Sequence, residues 1–359
     1  MGKRIGILTS GGDCPGLNAT IRGVAKAAYE RMENVEIIGV LGGYYGLIND
    51  ITRDMSPSDF SGILTLGGTI LGTRRQPYKE MRVIGEDAVD KVAKMKETYE
   101  KHKLDCLLTI GGNGTHKTAN LLSEEGLNII GLPKTIDNDI WGTEVTFGFH
   151  TAVGTATDVI DKIHTTAASH GRVMVIELMG NKAGWLTLYS GIAGGADIIL
   201  LPEIPYDLDL VLGAIEKRMS MGKMFSIIAI AEGAIEKTEA EMKRKHRQLL
   251  REARGEKTAT DRLASQIERA LKVETRTVVP GHVQRGGSPC AYDRVLATQF
   301  GVYAANLIAN DHYGVTVAKV AHEITDNQLC DIAGKTKFVE PDCQMVQVAK
   351  EMGISFGTK

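Results

Sequence analysis

The 359-residue sequence lacks several features that would direct its reading early. It contains no run of eighteen apolar residues, and a strand-like segment follows almost at once on Met1, so neither a membrane-spanning helix nor a secretory signal is expected. Neither sign of charge is in excess: 42 Lys and Arg against 44 Asp and Glu give a formal net charge of -2, which exerts no global pull on nucleic acid or an anionic membrane. Any anion site must therefore be a local cluster of basic groups. The five cysteines, Cys14, Cys106, Cys290, Cys330 and Cys343, are odd in number and lack metal-type spacing, so a reducing cytoplasm is expected. The turn Gly11 to Gly16 matches neither a Walker loop, which ends in Gly-Lys-Ser/Thr, nor the dinucleotide GxGxxG pattern. There is no tandem repeat or low-complexity tract.

What is present is an ordinary globular composition, 43% hydrophobic and 24% charged, in a chain long enough for two domains. A short apolar run, a glycine turn and a helical pattern recur in that order. The run Arg4 to Thr9 leads into Ser10-Gly11-Gly12-Asp13-Cys14-Pro15-Gly16, after which Leu17, Ile21, Val24 and Ala28 have helical spacing. Similar units begin at Val35, Leu104, Asn128, Val173, Ile198, Phe225 and Thr275. This alternation predicts mostly parallel sheets covered by helices on both faces, with ligands at the carboxyl ends of the strands, where the glycine turns fall. The segment Ile235 to Lys257 departs from the pattern, being dense in Lys, Arg and Glu, and reads as a charged helical excursion. Acidic residues interleave with Lys243 to Arg247 and no aromatics accompany them, so a solvated helix face is expected rather than a nucleic-acid site. Thr258 to Lys272, with Leu263, Ile267 and Leu271 four apart, predicts an amphipathic helix.

Five polar glycine loops carry the chemistry. Gly11 to Gly16 has the physics of a phosphate cradle, because glycines let an anion approach backbone N–H groups at a helix N-terminus. Gly111-Gly112-Asn113-Gly114-Thr115 leaves a strand in the same way, and Asn113 would be a weaker magnesium ligand than an aspartate. Pro133-Lys134-Thr135-Ile136-Asp137-Asn138-Asp139 sets two carboxylates two residues apart beside a lysine, so that one can take a proton while the other helps to hold a metal. Glu177 to Asn181 follows Arg172 and another strand, and Pro280 to Pro289 places His282 and Arg285 three residues apart, suited to clasping a phosphate ester.

In their order along the chain, Gly11 to Asn18, Gly67 to Arg75, Gly111 to Thr115, Pro133 to Asp139, Met179 to Asn181 and Gly281 to Pro289 resemble the phosphofructokinase family, over Lys3 to about Tyr303. The resemblance implies two doubly wound α/β domains around an active-site cleft. Residues 1–148 with 284–333 would hold the donor, and 149–283 with 334–359 much of the sugar phosphate. It implies transfer of a phosphoryl group from ATP to the 1-hydroxyl of fructose 6-phosphate in glycolysis, with Mg²⁺ as cofactor. Asp137 would be the general base, with Thr135 and Asp139 as its catalytic neighbours and Asp139 as a metal ligand, Asn113 a weaker one. Gly12, Tyr44, Arg74, Arg75, Gly112, Asn113, Gly114 and Thr115 would serve the donor, Tyr44 bordering the base. Thr135, Ile136, Asp137, Arg172, Met179, Gly180, Asn181, Glu232, Arg276, His282, Val283, Gln284 and Arg285 would serve the sugar phosphate. Arg172 and Arg276 would come from a neighbouring subunit of a homotetramer or homodimer with shared active sites.

Three departures from the family pattern matter. Gly114 favours ATP, because an aspartate there would oppose the nucleotide's α-phosphate, whereas Lys134 is usual in pyrophosphate enzymes; a pyrophosphate-dependent phosphotransferase is thus the rival reading. Asn113 stands where an aspartate commonly helps to hold magnesium, which motivates a more distant rival, a non-catalytic sugar-phosphate sensor. A lipid or NAD kinase is disfavoured by Arg172 and by His282 to Arg285. Of the family's basic effector pocket, Arg22 and Lys223 remain, but Pro57, His164, Met221 and Phe225 replace cations, so control by ADP or phosphoenolpyruvate is expected to be weak.

Overall fold

A computed structural model describes residues 2–84, 89–253, 255 and 258–359, with backbone alone at 244 and 248. In chain order the strands are β1 (Arg4–Ser10), β2 (Glu36–Val40), β3 (Thr52–Met55), β4 (Cys106–Gly111), β5 (Ile129–Pro133), β6 (Val173–Leu178), β7 (Ile198–Leu200), β8 (Ser226–Ala231), β9 (Thr275–Val278), β10 (Val315–Val320) and β11 (Glu323–Gln328). The helices are α1 (Leu17–Arg31), α2 (Tyr44–Ile48), α3 (Lys91–Lys101), α4 (Asn113–Glu124), α5 (Phe149–His170), α6 (Trp185–Ala193), α7 (Leu208–Ser220), α8 (Arg244–Ala253), α9 (Ala259–Leu271), α10 (Ala291–Ala309), α11 (Leu329–Ile332) and α12 (Gln344–Glu351). The chain divides into two compact units, Met1–Thr151 with Arg285–Lys337, and Ala152–Gln284 with Phe338–Lys359.

Unit 1 is built on a seven-stranded sheet in the order β11-β10-β5-β4-β1-β2-β3. Its five central strands are parallel, and each edge strand is antiparallel to its neighbour. The parallel runs are mainly apolar and mostly buried because both faces are covered. From β1 the chain moves outward to β2, whereas β4 on its other side leads to β5 in the opposite direction. The strand order therefore reverses between β1 and β4, and the crevice outside their carboxyl ends is where such sheets take ligands. Ser10 pairs with Gly111 there, which sets the first two glycine turns side by side. The apolar pattern does not predict β3, β10 or β11. β3 and β11 are polar edge strands that bury little, so hydrophobic periodicity carries no signal for them.

Unit 2 holds a four-stranded, wholly parallel sheet, β7-β8-β6-β9. Alternation along β6 sends Met174, Ile176 and Leu178 into one core and Val173 and Val175 into another, so the sheet is buried on both faces. The predicted amphipathic helix is α9, whose Leu263 and Ile267 are buried and whose N-cap Thr258 accepts from the N–H of Asp261 at 3.0 Å. Within the charged excursion, a 3-10 turn at Lys237–Glu239 precedes α8, while Arg254, Glu256 and Lys257 lie outside the described residues. This segment is not wholly a solvated face. The buried Glu239 pairs with Arg262 of α9 and, at 2.9 Å, with Arg251 of α8, and Arg262 also donates to the hydroxyl of Tyr206 at 3.0 Å. A buried carboxylate persists at such a position because two guanidiniums offset its lost hydration.

Candidate active site

The first turn of unit 1 leaves β1 through Gly11, at φ 86°, and enters α1 through Gly16, at φ 108°. Both angles are left-handed, which glycine adopts without strain. A Cβ at Gly12 would stand 2.5 Å from the Arg285 guanidinium, so that position must be glycine if the arginine is to lie against the turn. Arg285, expected among the sugar-phosphate residues, thus lies against the first glycine turn. Lys134 is buried, and its ammonium donates to the carbonyl of Gly12. Burial holds its pKa below the usual lysine range.

The second turn runs from Gly111 into α4. A Cβ at Gly111 would stand 2.1 Å from the Thr115 hydroxyl, whereas one at Gly114 would meet nothing within 4 Å. Gly114 thus opens space and Gly111 makes room for Thr115. Thr115 is itself buried, its hydroxyl donating to the carbonyl of Ser10 at 3.4 Å, so it braces the two turns against each other rather than presenting a free hydroxyl. His116, also buried, contacts the Gly112 carbonyl through Nδ1 at 3.0 Å and the Thr316 hydroxyl through Nε2 at 2.9 Å. Burial pushes its pKa down to about 4. The ring is therefore neutral at pH 7, donating to the carbonyl and accepting from the hydroxyl.

Tyr44 requires a correction. It does not border an open nucleotide site through its ring, for it is 1% exposed and its hydroxyl donates to the Thr115 carbonyl at 2.9 Å. A large ring at the start of α2 is more stable packed beneath the loop than in water. Its neighbour Tyr45 is half-buried, with the guanidinium carbon of Arg74 4.2 Å from its ring centroid, and Arg75 is exposed.

The third loop leaves β5 after Pro133 and is fixed from several directions. The backbone N–H of Asp137 donates to the Thr135 hydroxyl at 3.0 Å, and the Thr146 hydroxyl donates to the Thr135 carbonyl at 2.7 Å. Asn138 is left-handed at φ 52°, its side-chain oxygen accepting from the Thr146 N–H and the Lys337 ammonium, each at 3.1 Å. Lys337 also donates to the carbonyls of Thr143 and Glu144, and its N–H bonds to the Asp139 carbonyl at 2.9 Å. Burial holds the Asp139 carboxyl above the usual carboxylate range, opposed by a hydrogen bond from Asn113. Ile136 is buried, so any substrate contact there falls to its backbone. Lys337 and His116 were not legible as site residues: the first lies about 200 positions beyond its partner, and the second has no glycine motif of its own.

In unit 2, Met179, Glu232 and Gly281 follow the carboxyl ends of β6, β8 and β9. The N–H of Asn181 donates to the Glu232 carboxylate at 2.7 Å, and Gly180 at φ 138° makes the bend between. Gln284 is fully buried, accepting from the Met179 N–H at 3.3 Å and donating to the Gly281 carbonyl at 3.1 Å. Its side chain ties two loops together and cannot itself face a substrate. His282 and Val283 are exposed. Arg172 and Arg276 are not brought to this cluster. They form ion pairs with opposite sides of Glu274, at 2.8 and 2.5 Å, beyond the amino end of β6. From Arg172 to Met179 is roughly 20 Å at strand rise. At the positions compared with an effector pocket, His164 packs edge-on to Phe225 at 5.8 Å and Lys223 is exposed.

A family model described as phosphofructokinase matches residues 4–308. The ATP-dependent 6-phosphofructokinase of Spirochaeta thermophila is 53% identical over 358 residues, covering 99% of this chain and 98% of that one. The pyrophosphate–fructose 6-phosphate 1-phosphotransferase of Amycolatopsis methanolica is 42% identical over 350 residues, covering 94% and 97%. Among solved structures, Pichia pastoris phosphofructokinase in the T-state is similar at a TM-score of 0.80 and 29% identity, over 98% of this chain and 36% of that chain.

Proposed function

The chain belongs to the phosphofructokinase family, and on that premise we infer that it transfers the terminal phosphoryl group of ATP to the 1-hydroxyl of fructose 6-phosphate, giving ADP and fructose 1,6-bisphosphate. The observation that carries the donor assignment is the near full-length identity to an ATP-dependent enzyme, 53% against 42% for the pyrophosphate enzyme. The open space at Gly114 supports it, since a nucleotide's phosphates need room at the start of α4. Lys134 favours the rival donor, but its ammonium is engaged by the Gly12 carbonyl.

In this reading unit 1 takes the donor. Backbone N–H groups of the turns at Gly12 and Gly112 to Thr115, with Arg285 beside them, offset charge on the phosphates. Asp137 accepts the hydroxyl proton as the sugar oxygen attacks, and the bond from its N–H to Thr135 fixes the turn that aims it. Among the described residues no three acidic, imidazole or thiol groups converge as a metal site. Magnesium fits nonetheless, because it is usually held by one or two carboxylates together with substrate phosphates and water. Asp139 would hold it, since its carboxylate is partly buried and its bond from Asn113 supplies no positive charge. When bound, the ion neutralises charge on the donor phosphates.

Unit 2 takes much of the sugar phosphate through Met179 to Asn181, Glu232 and His282. A homotetramer or homodimer with shared active sites is supported by Arg172 and Arg276, which lie at the far end of β6 from Met179 and would serve a neighbour's site. No helix of the described residues is long and apolar enough to cross a membrane, and the five free cysteines suit a reducing cytoplasm. A coupled assay with fructose 6-phosphate, run separately with ATP and with pyrophosphate, tests the reading. Turnover with ATP is expected; turnover with pyrophosphate alone would overturn it.

A further inference from the structure

We propose that Tyr45 and Arg74 form the platform on which the donor's purine base stacks, taking the place that the sequence assigned to Tyr44. This rests on the ATP reading above and names the residues that would give that site its preference for a base. Tyr44 is unavailable because it is buried and bonded to the Thr115 carbonyl. That same bond locates α2 against the second glycine turn, and Tyr45 is the next residue along.

Arg74 reaches the same rim by an independent route. The Thr73 hydroxyl donates to the Gly11 carbonyl at 2.7 Å, and the Thr9 hydroxyl donates to the Gly72 carbonyl at 2.8 Å. The N–H of Gly42 bonds to the Leu71 carbonyl at 2.9 Å, and a Cβ at Gly43 would stand 2.6 Å from the Thr9 carbonyl. The Gly42–Gly43 turn and the Leu71–Thr73 segment are thus both pressed onto the carboxyl end of β1, where the phosphate turn departs. Tyr45, two residues beyond Gly43, and Arg74, next after Thr73, both remain accessible. There the Arg74 guanidinium carbon lies 4.2 Å from the Tyr45 ring centroid. An aromatic ring and a guanidinium already stacked offer a flat, polarisable face that any base can use. Pyrophosphate has no base, so the pair would be idle with that donor.

The test is steady-state kinetics of the full chain with ATP, CTP and pyrophosphate as donors, comparing wild type with Tyr45→Phe, Tyr45→Ala and Arg74→Ala. Loss of one stacking partner is expected to raise KM for ATP about tenfold in Tyr45→Ala and Arg74→Ala. KM for fructose 6-phosphate should not move, and the preference for ATP over CTP should shrink because the larger purine loses more contact. Tyr45→Phe keeps the ring and should keep wild-type KM. Unchanged KM for ATP in both alanine variants would overturn the inference, as would equal losses with ATP and CTP, which a merely structural pair would give. A wild type that turns over pyrophosphate but not ATP would overturn the donor assignment itself, and this inference with it.

Discussion

The side-chain amide of Asn113 donates to both the backbone carbonyl and the carboxylate of Asp139, at 3.1 and 2.8 Å. One residue of the second glycine turn thus holds the second carboxylate of the third loop, and the two loops behave as one piece. Replacing Asn113 by aspartate would set two carboxylates in contact and remove both donors. In the absence of divalent ions Asn113→Asp should lose about 1–3 kcal/mol, since a buried acceptor is left unpaired and like charges repel. The pair of carboxylates should also lower the magnesium concentration for half-maximal rate. A magnesium titration of the rate checks this, and an unchanged midpoint would remove Asp139 and residue 113 from the metal's surroundings.

Asp137→Asn should lower kcat by about 10²–10⁴-fold, the usual contribution of a general base, while KM for fructose 6-phosphate changes little. The turn should survive, because it depends on the N–H of Asp137 and the hydroxyl of Thr135 rather than on the carboxylate. Near-normal turnover would exclude Asp137 as the base.

His116 makes stability depend on pH in a defined window. Burial lowers its pKa from 6.5 to about 4, so between these values the unfolded chain binds a proton that the native chain does not. Stability is therefore lost as pH falls from about 6.5 towards 4, by on the order of 3 kcal/mol for this group. His116→Gln should lose less stability than wild type over the same interval. Denaturant unfolding of both proteins at pH 7 and near pH 4 measures the difference, and parallel losses would show that the imidazole titrates normally.

Glu239 anchors the charged excursion to α9. Glu239→Ala would leave Arg262 buried without its carboxylate and should cost about 3–5 kcal/mol. Replacing Arg262 by methionine in the same chain should restore much of that loss, because the uncompensated charge is gone. Thermal melts of the single and double variants test this, and a double variant no more stable than Glu239→Ala would mean that packing, not charge, fixes the segment.

Control by anionic effectors should be weak. His164 donates through Nε2 to the Gly194 carbonyl at 2.8 Å while packing on Phe225, and Arg218 pairs with Asp197 at 2.7 Å. These groups are engaged within unit 2 rather than open to an anion. Saturation curves for fructose 6-phosphate, with and without ADP or phosphoenolpyruvate, should nearly superimpose; a strongly sigmoidal curve shifted by phosphoenolpyruvate would contradict this.

The sequence is sufficient for what depends on neighbours along the chain. Apolar runs such as Val173 to Leu178 must be buried on both faces, and glycines such as Gly11 and Gly16 take up left-handed turns after them, so the parallel sheets and polar loops can be read in order. Polar edge strands escape such a reading: β11 has one apolar residue, Ile324, and owes its conformation to backbone pairing with β10.

Which side chain of a loop faces inward was decided only by the tertiary structure. Tyr44 and Tyr45 are identical in composition and adjacent in sequence, yet one is buried against the second glycine turn and the other is half-buried against Arg74, because α2 can bury only one face. Gln284 sits in a motif rich in binding groups but is enclosed between two loops whose N–H and carbonyl it satisfies. Lys337 reaches Asn138, Thr143 and Glu144 from a distant part of the chain. No local pattern can announce such contacts, since they exist only once packing has closed the distance and burial has made each unpaired polar group costly.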